Sequence, residues 1–274
     1  MKLGLAALSA TILASTVPTS ASQITANIFN NVVYTQASNS APSTSDGYFF
    51  NIGADIGSGN FTSASATYPG GSQTLGGTSP HFSYGSPLQS QANSAAAFPF
   101  GAYTVTATGA DTATATVHYT QDLFTSAIPF LSNYNSLNGL DPSKTLTVLY
   151  NAFTLNSGAT EGFTFFTITD ASNTAVFDGG FQSPSTTGNL IAANTLLPNT
   201  TYQFQLDFSD RLLEGQDPNG NFAQQGFDVR TVGEFTTGSI GAVPEPSTWA
   251  MLLIGFAGLG FAGRMHSRRR SVAI

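Results

Sequence analysis

The sequence predicts an all-β fold. Three observations carry that expectation. Short runs of β-branched and aromatic residues recur between clusters of Gly, Pro, Asn and Ser along most of the chain. Several of these runs alternate apolar and polar residues with period two, the pattern of a half-buried strand. Only 8% of the 274 residues are charged, so Ser, Thr, Asn, Gln and Gly supply the polar surface, as is common in secreted β-rich proteins. Twenty-two Phe and nine Tyr provide enough apolar area for a packed core, which excludes wholesale disorder.

The elements are clearest from Thr125 to Thr237. Expected strands are Ile128–Leu131, Thr145–Phe153, Gly162–Thr169, Ala175–Phe181, Asn189–Ala193, Thr201–Phe208 and Phe227–Phe235. Tyr202, Phe204, Leu206 and Phe208 alternate with Gln203, Gln205 and Asp207, and Leu146, Val148 and Tyr150 share one face. Phe163, Phe165 and Ile168 fit no single face, which points to a bulge near Phe166. Seven strands in about 110 residues is the count of an immunoglobulin-like β-sandwich. The segment Leu197-Pro198-Asn199-Thr200-Thr201-Tyr202 resembles the loop before strand F of fibronectin type III domains. That resemblance implies a tyrosine corner built by Leu197, Pro198 and Tyr202, with the Tyr202 hydroxyl bonded back to the backbone and its ring closing the end of the core.

Residues 23–124 read as a smaller, loopier β-rich domain. Ile24–Tyr34, Tyr48–Ile56, Tyr103–Thr108 and Thr112–Tyr119 are expected strands, and Gly57–Ser94 shows weak periodicity. Phe100-Gly101-Ala102-Tyr103 is a candidate second corner. A single large sandwich using both halves is the alternative.

The two ends are read as addresses. Residues 1–22 carry Lys2, an apolar run from Leu3 to Val17 and small residues through Ser22, the order of a secretory signal peptide cleaved after Ala21 or Ser22. Residues 241–274 hold Pro244, Glu245 and Pro246, an uncharged stretch 248–263, and a basic tail 264–270 with Arg264, Arg268, Arg269 and Arg270. As a helix, the stretch 248–263 rises about 24 Å, a little short of the hydrocarbon core. The arginines orient it with the body outside. This arrangement resembles the PEP-CTERM tag of Gram-negative bacteria. The resemblance implies an exosortase as partner, an inner-membrane intermediate held by the helix, its removal, and delivery to the cell surface or extracellular matrix. A permanent single-span anchor is the alternative. The same tag also carries the label of an ice-binding protein C-terminal domain, which describes an address and not an activity. The whole is thus expected to be one or two immunoglobulin/fibronectin-like β-sandwiches, with 125–240 the fibronectin type III-like one, between a signal peptide and a transmembrane sorting helix.

Charge narrows the partners. Residues 23–240 contain Lys144, Arg211 and Arg230 against fourteen acids, a net −11. Such a body is repelled by phosphate backbones, so nucleic acid is excluded. No cysteine is present, which removes disulfides, thiol nucleophiles and Cys-ligated metals. His81 and His118 belong to no recognisable motif, and the chain lacks the Ser-elbow, HExxH and P-loop patterns. Asp217, Asn219 and Asn221 alternate oxygen donors as hard cations prefer, with Asp228 at the twelfth position. Phe222, however, stands where an EF-hand needs Gly, so the region reads first as a solvated loop. No cofactor is expected, with calcium the one candidate ion.

Threonines at every second position from Thr104 to Thr116 predict a hydroxyl ladder on a hairpin face, too short in two rows for a broad ice-binding surface. Tyr34, Tyr48, Tyr68 and Tyr84 are candidate sugar platforms or core residues. The leading functional expectation is an exported, non-catalytic surface or matrix-associated protein. The alternatives are a polysaccharide- or calcium-binding module and a secreted hydrolase. Exposed aromatics lining a concave sheet favour the former, and converging carboxylates in a deep pocket the latter.

Overall fold

A computed structural model describes residues 22–240. The signal peptide expected at 1–22 falls on residues 1–21 except for Ser22, and the sorting motif Pro244, Glu245 and Pro246, the helix 248–263 and the basic stop Arg264, Arg268, Arg269 and Arg270 lie outside the described residues. Among the described residues, no helix is long and apolar enough to cross a membrane.

The N-terminal half contributes β1 (Gln23–Thr35), β2 (Ser45–Ser58), β3 (Phe61–Tyr68), β4 (Gly71–Thr78), β5 (His81–Leu88), α1 (Gln91–Ala97), β6 (Gly101–Gly109) and β7 (Thr112–Tyr119). The C-terminal half contributes β8 (Leu146–Leu149), β9 (Glu161–Thr169), β10 (Ala175–Gln182), β11 (Gly188–Ile191), β12 (Thr201–Gln216) and β13 (Phe222–Thr236). Eleven of the strands form one continuous sheet in the order β10-β9-β12-β13-β1-β2-β5-β4-β3-β6-β7, and β11 pairs with β8. The mostly-β, sandwich-like architecture expected from the pattern is present.

Gly57–Ser94 departs from its loopy reading: it holds β3, β4 and β5. Its inward residues are small, Ala64 and Ala66 in β3 with Leu75 alone buried in β4, so the apolar alternation is faint. Ile128–Leu131 forms no strand, and only an isolated bridge joins Leu131 to Tyr150.

The sheet folds over on itself. Ile24, Ile28, Phe50 and Ile52 of β1 and β2 share one core with Val105, Ala115 and Val117 of β6 and β7. Side chains seal the edge of β7 where no ladder forms. Glu214 accepts the His118 N–H at 2.8 Å, Gln225 donates to the His118 carbonyl at 3.0 Å, and the Asn221 amide donates to the Thr114 carbonyl at 3.1 Å. An edge closed in this way offers no template to another chain.

The second core gathers Phe166 and Ile168 of β9 and Tyr202, Phe204, Leu206 and Phe208 of β12 beneath Val148, Tyr150 and Ile191. The strands β12 and β13 run past it, and Phe227 packs in the first core. Between β2 and β13 lies β1, antiparallel to the former and parallel to the latter over Thr25–Thr35. The position 124/125 therefore separates the bulk of the two cores but not the sheet.

Two tyrosines close the core ends. Tyr202 is 2% exposed, and its hydroxyl accepts the Leu197 N–H at 2.8 Å. Leu197 itself is 65% exposed, and the neighbouring Leu196 enters the core in its place. Buried Tyr103 donates its hydroxyl proton to the Pro99 carbonyl at 2.9 Å. Replacing Tyr202 by Phe leaves the Leu197 N–H without that partner. The expected loss is about 1–3 kcal/mol with the fold unchanged. An unaltered urea midpoint would show that the corner carries no stability.

Asp210 of β12 points inward and is fully buried. Its Oδ2 accepts the Asn156 N–H at 3.3 Å, and its Oδ1 has no partner. Burial pushes this carboxyl up to about 6. A folded-state value above the unfolded one means that the native state binds the proton more tightly. Its favourable contribution is complete below about pH 4 and is lost as pH rises through 6. The Asp210→Asn variant is therefore expected to be more stable than the parent at pH 7, by about 1–2 kcal/mol after screening, and equal to it near pH 4. Thermal melts across that window check the convergence. Parallel curves at all pH values would place the titration elsewhere.

Candidate binding face

The outward face of the sheet is where the polar and aromatic side chains of β9, β10, β12, β13, β1 and β2 meet. Pairing registers place Phe181, Phe165, Asp207 and Arg230 in one row and Phe163, Ser209, Asp228, Asn31 and Phe49 in the next. A third row holds Arg211, Gly226 and Phe29. The expected bulge near Phe166 is not in β9, whose register with β12 is unbroken. This strand alternates cleanly, with Phe163 and Phe165 outward and Phe166 and Ile168 inward. It carries phenylalanine on both faces, which made its periodicity look broken.

The Arg211 guanidinium lies between two rings, 4.6 Å from the Phe29 centroid and 5.0 Å from that of Phe163. Its Nη1 is 3.0 Å from Asp228 Oδ1. This stack needs Gly226: a Cβ there would stand 1.7 Å from Arg211 Nη1 and 2.3 Å from the Phe29 ring. The Ser209 hydroxyl also donates to Asp228 Oδ1, at 2.5 Å. Beside this group, Arg230 donates through Nε and Nη2 to the two oxygens of Asp207, at 2.9 and 3.2 Å. Burial pushes the Asp207 carboxyl above its ordinary value, and the Arg230 guanidinium opposes that rise.

On the edge strand, β10 carries one extra residue against β9 between Asp178 and Phe181. Gly180 takes φ +65°, and its N–H is held by Asp178 Oδ1 at 2.8 Å. The bulge aims Phe181 outward. Its ring is 75% exposed and meets Phe163 at 4.5 Å and Phe165 at 5.3 Å between centroids. Next to these rings opens a groove of about 630 Å³, lined by Thr35, Thr167, Thr169, Gln203, Gln205 and Glu234. Gln203 donates to Glu234 Oε1 at 3.0 Å and Gln205 to Asp207 Oδ2 at 2.8 Å.

The candidate cation ligands do not converge. Asp217 Oδ1 accepts the N–H groups of Asn219 and Asn221, each at 2.8 Å, and its Oδ2 accepts the Asn221 amide. The Asn221 amide first, then these backbone donors, hold the Asp217 carboxyl below its usual value. Asn221 is buried as a brace, accepting the Ile24 N–H at 3.0 Å. Asp228 lies six residues beyond Phe222 along β13, roughly 20 Å away, and is held by Arg211. The loop expected to span the acids is only Asp217–Asn221, because β12 and β13 continue to Gln216 and from Phe222. Among the described residues, no group of three or more His, Asp or Glu side chains could hold a metal ion.

Both described histidines are paired and exposed, His81 to Asp55 at 2.7 Å and His118 to Glu214 at 2.8 Å. Tyr68 and Tyr84 pack against Phe98 in the first core, whereas Tyr34 and Tyr48 border a smaller cleft with Asp122 and Gln91. The threonine ladder is present, Thr104 to Thr116 at 3.1 Å and Thr106 to Thr114 at 3.2 Å. It is wider than two rows, because β3 sets Ser63, Ser65 and Thr67 opposite Thr108, Thr106 and Thr104.

Residues 242–270 match the PEP-CTERM protein-sorting motif. This motif implies export, processing by an exosortase, which is a membrane enzyme, and sorting to the surface of a Gram-negative cell. No curated protein matches the chain. Among solved structures, the chain is similar to a part of a 1.5-MDa bacterial ice-binding adhesin concerned with host cell surface retention. The identity is 17% and the TM-score 0.22, over 80% of this chain and 66% of that one. The BSP domain of a biofilm-associated protein follows at 14% identity and TM-score 0.22, over 70% of this chain and 28% of that one. The FN1–FN3 domains of chicken CNTN1 match at 7% identity and TM-score 0.24, over 68% and 62%. The chain thus spans less than two thirds of each of these structures, and likeness at this level carries no argument about activity.

Proposed function

We propose that the body is a non-catalytic module displayed at the cell surface or in its extracellular matrix once an exosortase has processed the tag. The observation that carries this reading is the sorting motif at 242–270, directly after the body. The state of five of the body's fourteen acids supports it. Asp207 and Asp228 neutralise arginines, Glu214 holds the edge of β7, and Asp217 winds a turn. Asp122 accepts from Tyr119, Asn30 and Gln91. Each is engaged in holding structure, where an acid–base pair for hydrolysis needs groups aimed at a substrate. Intact-mass analysis of surface material is expected to find a chain that lacks Trp249 onward. Deleting the exosortase is expected to hold the chain, tag included, in the inner membrane. Full-length protein recovered from the surface would overturn processing and leave a simple anchor.

A further inference from the structure

We infer that the outward face around Phe181 binds a neutral polysaccharide. This deepens the display reading by naming what the displayed module meets. A sugar ring offers an apolar C–H face and a rim of hydroxyls, and its binding site needs a flat apolar surface beside hydrogen-bonding groups that can both donate and accept. The face supplies both within one neighbourhood. The exposed Phe181 ring is the platform, and Phe163 and Phe165 buttress it from beneath. One step further along β9 and β12, the groove presents Thr167, Thr169, Gln203, Gln205 and Glu234. The hydroxyls of Thr167 and Thr169 make no hydrogen bond within the described residues, and Glu234 uses one oxygen on Gln203, so donors and acceptors remain for ligand hydroxyls.

The platform is also pre-set. The bulge at Gly179–Gly180 aims Phe181, and Arg211 clamps Phe163 against Phe29 and Asp228. Little side-chain freedom is left to lose on binding.

Charge selects the class of polymer. All three basic residues of the body are already ion-paired, Lys144 with Asp141, Arg211 with Asp228 and Arg230 with Asp207. Among the described residues, neither arginine of this face is left free for a uronate or sulfate, and Glu234 adds repulsion to the net −11 of the body. A neutral chain of hydroxyls meets no such penalty.

The test uses the protein recovered from the cell surface, with cellohexaose and mannohexaose as neutral probes and hexagalacturonate as the acidic one. Calorimetry is expected to show binding of at least one neutral hexasaccharide, and at least tenfold weaker binding of the acid. Phe181→Ala should weaken the neutral probe tenfold or more, and Glu234→Gln severalfold. Both positions are exposed, so melting temperatures should not move. Failure of both neutral probes to bind, tighter binding of hexagalacturonate, or full affinity in Phe181→Ala would each overturn the site. Self-association that Phe181→Ala abolishes would overturn it in favour of a second copy as the occupant. Failed binding with a processed tag removes the site and keeps the displayed module. Binding with an unprocessed tag does the reverse.

Discussion

Arg230→Met is expected to destabilise the body by about 3 kcal/mol at neutral pH, and Asp207→Asn in the same chain to recover most of the loss. Asp207 is almost fully buried on the sheet face and holds Arg230 through two parallel bonds. Breaking a buried pair on one side costs about 3–5 kcal/mol because it strands the other charge. Arg230 is about a third exposed, which places the expectation at the lower end. With the guanidinium gone, burial and the nearby Asp228 raise the Asp207 pKa further, opposed only by the Gln205 hydrogen bond. The unfolded chain binds that proton less tightly than the folded one, so the penalty is largest above the folded pKa and fades as pH falls towards about 4. Chemical denaturation of both single variants and the double variant at pH 7 and pH 4 measures this. Equal losses at both pH values would show that Arg230 acts through packing and not through its charge.

Phe50→Ala is expected to cost about 3–5 kcal/mol, the range for a buried aromatic replaced by alanine, and to destabilise both cores together. Phe50 is fully buried and stacks on Phe98 at 4.3 Å between centroids, with Tyr119 at 5.7 Å. It lies in β2, which pairs with β1, and β1 pairs in turn with β13, which reaches the second core. No unpaired seam divides the two. Hydrogen exchange at the Phe204 and Phe166 amides, both in the second core, should therefore speed up in step with amides of the first. Unchanged protection there would make the two cores independent folding units.

Legibility differed from strand to strand. The run Tyr202–Phe208 was readable because one of its faces is wholly apolar and the other wholly polar, so period two survives intact. Segment Phe163–Ile168 was not, because Phe163 and Phe165 face out while Phe166 and Ile168 face in. Hydrophobicity does not distinguish a ring that fills a core from a ring that waits on a surface. Strands β3 and β4 were hidden for the opposite reason, since Ala64 and Ala66 fill most of the inward side of β3 and Leu75 alone is buried in β4, which leaves little apolar contrast. The acids after Asp207 looked like a loop because strand and loop share the same polar composition. Only the pairing of Asp207 and Asp228 with arginines across the sheet shows why charge is tolerated there.

By itself, the sequence determined the all-β class, the sorting motif with its implied destination, and a tyrosine set to close a core end. Each of these is local: a period, a composition, or a handful of adjacent residues. The tertiary structure decided the rest. It ran one sheet through both halves, set β1 parallel to β13, moved Asp228 away from Asp217, and gathered Phe29, Phe163, Phe181 and Arg211 on one face. Those outcomes depend on pairings between residues as far apart as Ile24 and Asn221, 197 positions along the chain. Such pairings form because the folded sheet buries two cores at once, and no local stretch of sequence contains the partner that makes the burial favourable.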